Sequence, residues 1–384
     1  MPGFHNEKGV EAMAMTHKQR ILAVARGEHL DKLPFGARID VWYNYHSAHN
    51  TLPEKYKGWS QTDIVRDQGA GAQYRFFSVV KEEYQDMEVI ERNEPPYIMT
   101  EYRTPLGTVS KKEIFDSSEG PWVRYEMEKI FKSENDYPVI KYIMEHIIPV
   151  DNFGAFNKVR DEVGEDGMVM TGAGLWSPVQ RVMREIMGYE LFFYELADHP
   201  AKVEELIEVM KDLRRRKLEV AIKCDLEIFN IDANWSDDIH TPVFKKYFTP
   251  WFQEATDLLH AHGKLAMAHI DGEMKRLIPM FLETGIDVAE AWSPAPMTSV
   301  TTAELRKAWG DKVTIWGGVP SMLFEPQYSD QEFDDYVLNL FKEVSPGHSF
   351  IVGMGDNLPF DGKIERVGRV VDLIEKYGHI PVGV

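Results

Sequence analysis

The residues of this chain best suited to chemistry come as short polar clusters, each closing an apolar run. They read Arg38-Ile39-Asp40, Asp232-Ala233-Asn234-Trp235, His269-Ile270-Asp271, Glu290-Ala291-Trp292, Gly317-Gly318-Val319-Pro320-Ser321 and Gly355-Asp356-Asn357. His269 and Asp271 are two apart, so at a strand end both side chains face one way, as metal ligands or as an acid/base pair. Asp232 and Asn234 share that spacing, with capping or loop closure as the plainer role. Asp356 and Asn357 are either site residues or an Asx turn ahead of Pro359. Arg38 either pairs with Asp40 or grips a substrate carboxylate through its guanidinium fork. Crowded carboxylates raise one another's pKa and create proton donors. The expected catalytic set is therefore His269, Asp271, Asp232 and Glu290, with His269, Asp271 and Asp356 as the expected metal ligands. Arg38, Asp40, Tyr43, Trp176, Asn234, Trp235, Trp292 and Asn357 are expected around the substrate, the aromatics walling a flat apolar molecule. Trp42, Tyr45 and the methionines 267, 274, 280 and 354 fit packing as readily as a pocket wall.

Such clusters act together only if the backbone brings them to one place. From about residue 165 onward, short apolar runs alternate with longer amphipathic stretches, the pattern of parallel β/α units. The strand candidates are GMVMTGAG, LEIFNID, KLAMAHID, DVAEAW, KVTIWGG and SFIVGMG, and LPFGARID at 33–40 supplies an earlier one. Helices are expected from Pro200 to Ile222, Pro242 to His262, Gly272 to Thr284, Thr301 to Trp309, Asp330 to Val344 and Gly362 to Tyr377. The count approaches eight, so the expected fold is a (β/α)8 barrel, whose strand-end polar groups would face a common mouth. Residues 79–131 differ: strand composition broken by Pro-Pro and Pro-Leu-Gly predicts antiparallel hairpins inserted near there. The rival, an open doubly wound sheet, lacks support because no Gly-x-Gly-x-x-Gly follows the first strand and no phosphate loop of the Walker type occurs. GAGLWS at 172–177 is the nearest glycine-rich turn and lacks the third glycine. Without repeats or a Ser/Gly-rich linker, residues 15–384 are expected to form a single domain after a loose leader, 1–14, with Met13 or Met15 as a possible alternative start.

Composition narrows the partners. A net charge of -19 would repel nucleic-acid phosphates and anionic membranes, so a small molecule or another protein is expected instead. The one cysteine, Cys224, permits no intrachain disulfide and no cysteine-rich zinc site. With no signal-peptide core and no long apolar run, a cytoplasmic location is expected.

Several segments carry a resemblance: THKQRILAVARGEHLDKLPF, TPLGTVSKK, AHIDGEMKRLIPMFLETGIDVAE, WGGVPS and FIVGMGDNLPFDG. Together they resemble the uroporphyrinogen-decarboxylase-like superfamily, from about Met15 to the C-terminus. The resemblance implies a (β/α)8 barrel, often dimeric. True decarboxylases of that group carry an arginine-rich run after the first strand, whereas the corresponding RIDVWYNYHSAHNTLPEKYKGW lacks it. The chain is closer to the branch of methyltransferases that work with corrinoid proteins. Some of those hold zinc with a His-x-Cys pair and a later Cys; here the positions read His269-Ile270-Asp271 and Gly353-Met354-Gly355-Asp356, a harder donor set. The implied function is methyl transfer from a small donor, a methoxylated aromatic being the most attractive, to a corrinoid on a partner protein. The alternative is a carboxy-lyase acting on a carboxylated or tetrapyrrole-like substrate, with Arg38 binding a carboxylate. A third reading is a barrel that binds a corrinoid or tetrapyrrole without catalysis.

Overall fold

The computed structural model describes residues 14–115, 124–171 and 173–383. All but the last residue of the expected leader lie outside the described residues. Eight strands form the central sheet: β1 (Phe35–Ala37), β2 (Gly71–Phe76), β3 (Gly167–Thr171), β4 (Ile228–Ala233), β5 (Leu265–His269), β6 (Val288–Trp292), β7 (Thr314–Pro320) and β8 (Phe350–Gly355). Their spatial order is β4-β5-β6-β7-β8-β1-β2-β3, and every pairing is parallel. At the seam the Asn230 backbone N–H donates to Thr171 Oγ1 at 3.2 Å, so β3 lies against β4 and the sheet nearly closes on itself. With helices on the outside, this is a (β/α)8 barrel.

Two apolar layers hold the barrel. The larger lies between strands and outer helices, including Pro200–Ala221, Thr249–Ala261, Asp330–Val344 and Glu365–Tyr377. The smaller fills the interior with Met168, Met170, Ile228, Met267, Val288, Trp316 and Ile351. Trp316 takes the room left by two glycines: a Cβ on Gly36 would lie 2.3 Å from its ring, and one on Gly353 2.7 Å away. The helix His17–Ala25, capped by Thr16, adds Ile21 and Val24 to this interior group and closes the amino end of the barrel. The opposite end is left for the polar strand termini.

Between β2 and β3 lies the inserted antiparallel region. Strands Glu88–Glu94, Tyr97–Thr104, Gly107–Phe115 and Arg124–Glu128 form a meander, while Val80–Tyr84 pairs with Ile147–Asp151. Its first two turns fall at Pro95-Pro96 and Pro105-Leu106, where the missing proline N–H already interrupts a ladder. Two expected helices differ. The stretch 272–284 is mostly loop, with a helix only at Ile278–Phe281; at its start Gly272 packs so tightly that a Cβ would lie 2.1 Å from the Trp235 carbonyl oxygen. The stretch 242–262 divides into Asp237–Val243, a π-helical turn Phe244–Phe248 and Thr249–Ala261. Among the described residues no helix is long and apolar enough to cross a membrane.

Candidate active site

Strand alternation decides which side chains enter the barrel mouth. Met267 and Val288 point into the interior cluster, so His269 and Glu290, each two residues further on, point inward one layer higher. They are register partners across β5 and β6. On β2, Gln73 and Arg75 reach the same layer. Asp271, Asp356, Arg38 and Asp40 follow the ends of β5, β8 and β1 and lie above. Asp356 is held at φ 99°, a left-handed conformation unusual for a side-chain-bearing residue, and Asn234 and Ala291 at the ends of β4 and β6 are also left-handed.

Glu290 anchors the cluster. Its Oε2 lies 2.7 Å from His269 Nδ1 and accepts from Arg75 Nη2 at 2.6 Å, while Oε1 accepts from Gln73 Nε2 at 2.5 Å. Arg75 Nη2 is also 2.7 Å from His269 Nδ1, but that nitrogen cannot both donate and accept. An ionised carboxylate at hydrogen-bond distance assigns the proton to Nδ1. Burial would raise the Glu290 carboxyl, yet the Arg75 and His269 charges outweigh it and hold it well below the usual carboxylate range. For His269, burial and Arg75 act downward, but Glu290 and Asp271 prevail and raise its pKa above the ordinary value.

With Nδ1 engaged, Nε2 faces two carboxylates: Asp356 Oδ1 at 3.4 Å and Asp271 Oδ2 at 3.6 Å. One ligand atom from each of the three residues lies within 4.8 Å of the others. A lone pair and two carboxylate oxygens cannot converge without a proton or a cation between them. The separations exceed the roughly 2.7–2.9 Å of a charge-assisted hydrogen bond, and they suit the edges of a coordination shell with bonds of about 2.1 Å. Charge agrees: Asp40, Asp271, Glu290 and Asp356 outnumber Arg38 and Arg75 by two, so a neutral His269 leaves the charge a divalent ion would cancel. The Glu290–His269 contact is of the kind that would fix the imidazole if it held a metal. The donor set therefore fits a nitrogen- and oxygen-bound divalent cation such as zinc.

The other residues singled out from sequence fall elsewhere. Arg38 donates to Asp40 at 2.8 Å and Asp356 at 2.5 Å, so its guanidinium is engaged by protein carboxylates. Asn357 Nδ2 donates to Asp40 Oδ1 at 2.9 Å, tying the β8 end to the β1 end. Tyr43 donates to the Trp59 carbonyl at 3.0 Å and lines a separate groove of about 430 Å³ with His46 and Asn50. Trp176 is half-buried, with the Arg184 guanidinium 5.1 Å from its ring centroid, and Asn234 Oδ1 accepts from Arg184 at 3.0 Å.

Three of the expected site residues fall away from the His269 group. Asp232 is 0% exposed and is not brought to the His269 group, because the β4 register shifts between Asn230 and Asp232; it sits among Ser177, Trp235 and Arg214. Burial pushes its pKa up to about 7. Trp235 packs against Phe244, Phe252 and Phe281, outside the strands. Trp292 follows the irregularity at left-handed Ala291, which breaks alternation after Glu290, and its indole N–H donates to Thr302 Oγ1 on an outer helix. Both tryptophans are fully buried core residues.

Gln73 and Arg75 escaped the sequence reading. GAQYRF carries polar residues at its inward positions and glycine at its start, so it shows no apolar strand signature. The usable signal was arithmetic: eight strands required one more between residues 40 and 165.

The geometry can be set beside known proteins. No curated protein matches the chain in sequence. A methyltransferase from Methanosarcina mazei has a similar structure, with a TM-score of 0.55 at 12% identity, covering 94% of this chain and 99% of that one. At that identity the likeness concerns the fold. An octameric ribulose-1,5-bisphosphate carboxylase/oxygenase from Pyrococcus horikoshii OT3 reaches a TM-score of 0.36 at 10% identity, over 90% of this chain and 58% of that one. The family model described as uroporphyrinogen decarboxylase (URO-D) matches residues 127–377. That stretch holds β3 to β8 with His269, Asp271, Glu290 and Asp356, and omits β1 and β2 with Arg38, Gln73 and Arg75. Since the match takes in well over half of the chain and six of the eight barrel strands, the protein belongs to the uroporphyrinogen decarboxylase family.

Proposed function

We propose that this protein is a methyltransferase that moves a methyl group from a small donor, a methoxylated aromatic, to a corrinoid carried by a partner protein. The observation that carries the reading is the convergence of His269 Nε2, Asp271 and Asp356 above a Glu290-anchored imidazole at the barrel mouth. A divalent ion held there, zinc being one that these donors accept, would supply Lewis acidity toward the oxygen that leaves when the methyl group departs. The protein's own residues prepare that end of the pocket. Glu290 fixes the imidazole ring, Arg75 and Gln73 hold Glu290, and Arg38 orients Asp356 and Asp40. Without a cation, the protonated His269 would serve as the general acid for the same oxygen.

Large apolar side chains stand exposed just beyond four strands: Val41 after β1, Phe77 after β2, Met297 after β6 and Phe360 after β8. This rim supports docking of a protein that presents its corrinoid to the mouth. The carboxy-lyase alternative has less support, because Arg38 is already paired with two carboxylates. The same reading takes the protein as a cytoplasmic homodimer, which light scattering would check. Incubation with a reduced corrinoid protein and a panel of methyl donors tests the function. Growth of methyl–cobalt absorbance with a methoxylated aromatic is expected. Its absence with every donor, or carbon dioxide release without corrinoid, rejects the reading.

A further inference from the structure

We propose that Arg184, at the carboxyl ends of the barrel strands, is a subsite for a carboxylate on the methyl donor. The proposal rests on the methyl-transfer reading for what happens at His269, but the binding of the anion stands independently of it. The two other mouth guanidiniums are neutralised, Arg38 by Asp40 and Asp356, Arg75 by Glu290. Arg184 is not: among the described residues its hydrogen bond is to the amide oxygen of Asn234, and no carboxylate pairs with it.

The setting is built to present that charge. Arg184 lies on a π-helical stretch, Arg181–Met187, in the connection after β3. Such turns are rare and frequent at functional sites. Its guanidinium lies over the Trp176 ring, 5.1 Å from the centroid, a cation–π contact that leaves its remaining N–H donors for an anion. The Trp176 indole N–H is buried and has no acceptor among the described residues, so the ring that carries the guanidinium also holds an unused donor. Asn234 links this corner to the reacting end, because its backbone N–H donates to the His269 carbonyl at 3.0 Å and β4 neighbours β5. A carboxylate on Arg184 would sit at the strand end next to the one that carries His269 and Asp271. The overall charge of -19 repels anions in general, so an acidic substrate needs an uncompensated cation of this kind.

Calorimetric titration of the purified full-length protein, without corrinoid, provides the test, with para-methoxybenzoate and its uncharged isostere para-methoxybenzamide as probes. The benzoate is expected to bind more tightly than the amide by about tenfold or more, the worth of a charge-assisted hydrogen bond. Arg184→Gln should weaken the benzoate by about tenfold to a hundredfold and leave the amide nearly unchanged, and Arg184→Lys should recover part of the loss. Equal affinity for the two probes, an equal loss of both in Arg184→Gln, or no binding of the benzoate at millimolar concentration overturns the subsite. Arg184-dependent binding without methyl–cobalt formation would uphold the subsite and remove the reaction instead.

Discussion

His269 shows how one side chain takes its chemistry from its neighbours. Its Nδ1 is committed to Glu290, so what remains at Nε2 serves a proton or a cation shared with Asp271 and Asp356. Glu290→Gln keeps the shape and removes the charge that strengthens the imidazole as a ligand. Zinc titration of that variant should show affinity reduced by roughly tenfold to a hundredfold. Asp232 gives a second outcome at this scale. Burial raises its pKa to about 7 in the folded protein, against an ordinary value of 3.8. Between those values the unfolded chain has released the proton that the folded one retains. Stability from this group is therefore fully present below pH 3.8 and is lost as pH rises through about 7. Asp232→Asn should flatten that fall, so thermal melts from pH 4 to pH 8 are expected to converge less steeply than in the parent and leave the variant at least as stable at the alkaline end.

At the scale of elements, the barrel works because glycine and tryptophan share one space. Gly36 on β1 and Gly353 on β8 leave room for Trp316 from β7, which fills the interior beneath the polar layer. Gly36→Ala would press a methyl group 2.3 Å from the Trp316 ring. A loss of about 1–3 kcal/mol is expected for overpacking of this kind, read from denaturant unfolding. The irregularities in β4 and β6 matter as much as the regular pairings. Each breaks alternation once, leaving Glu290 inward while Asp232, Trp235 and Trp292 lie in the surrounding packing.

Across the whole molecule the two ends of the barrel are unlike. The helix His17–Ala25 closes one end with Ile21 and Val24, and polar strand termini ringed by exposed Val41, Phe77, Met297 and Phe360 form the other. If a corrinoid protein docks on that rim, loss of an apolar contact should affect partner affinity and leave donor binding alone. Phe77→Ser and Phe360→Ser are each expected to raise the KM for the corrinoid protein by about tenfold, with kcat retained. Steady-state kinetics with the carrier as varied substrate would show it, and a fall in kcat at unchanged KM would argue against docking there.

The sequence by itself determined the parallel barrel, the inserted hairpins and the polar ends of its strands. Those features are local: alternating apolar runs, proline-broken turns and residues two apart each carry their own signal. Six strands from GMVMTGAG to SFIVGMG were legible because apolar residues dominate both faces and the polar ones gather toward the carboxyl ends. β2 was not, since its inward positions carry Gln73 and Arg75, whose partners lie on β5 and β6, far along the chain. Only the tertiary structure decided that Arg75 and Gln73 hold Glu290, that Arg38 is already spent on Asp40 and Asp356, that Arg184 is free of any carboxylate among the described residues, and that Trp235 and Trp292 are core. A one-residue irregularity turns every following side chain to the other face, and whether a charge is paired depends on groups distant in sequence.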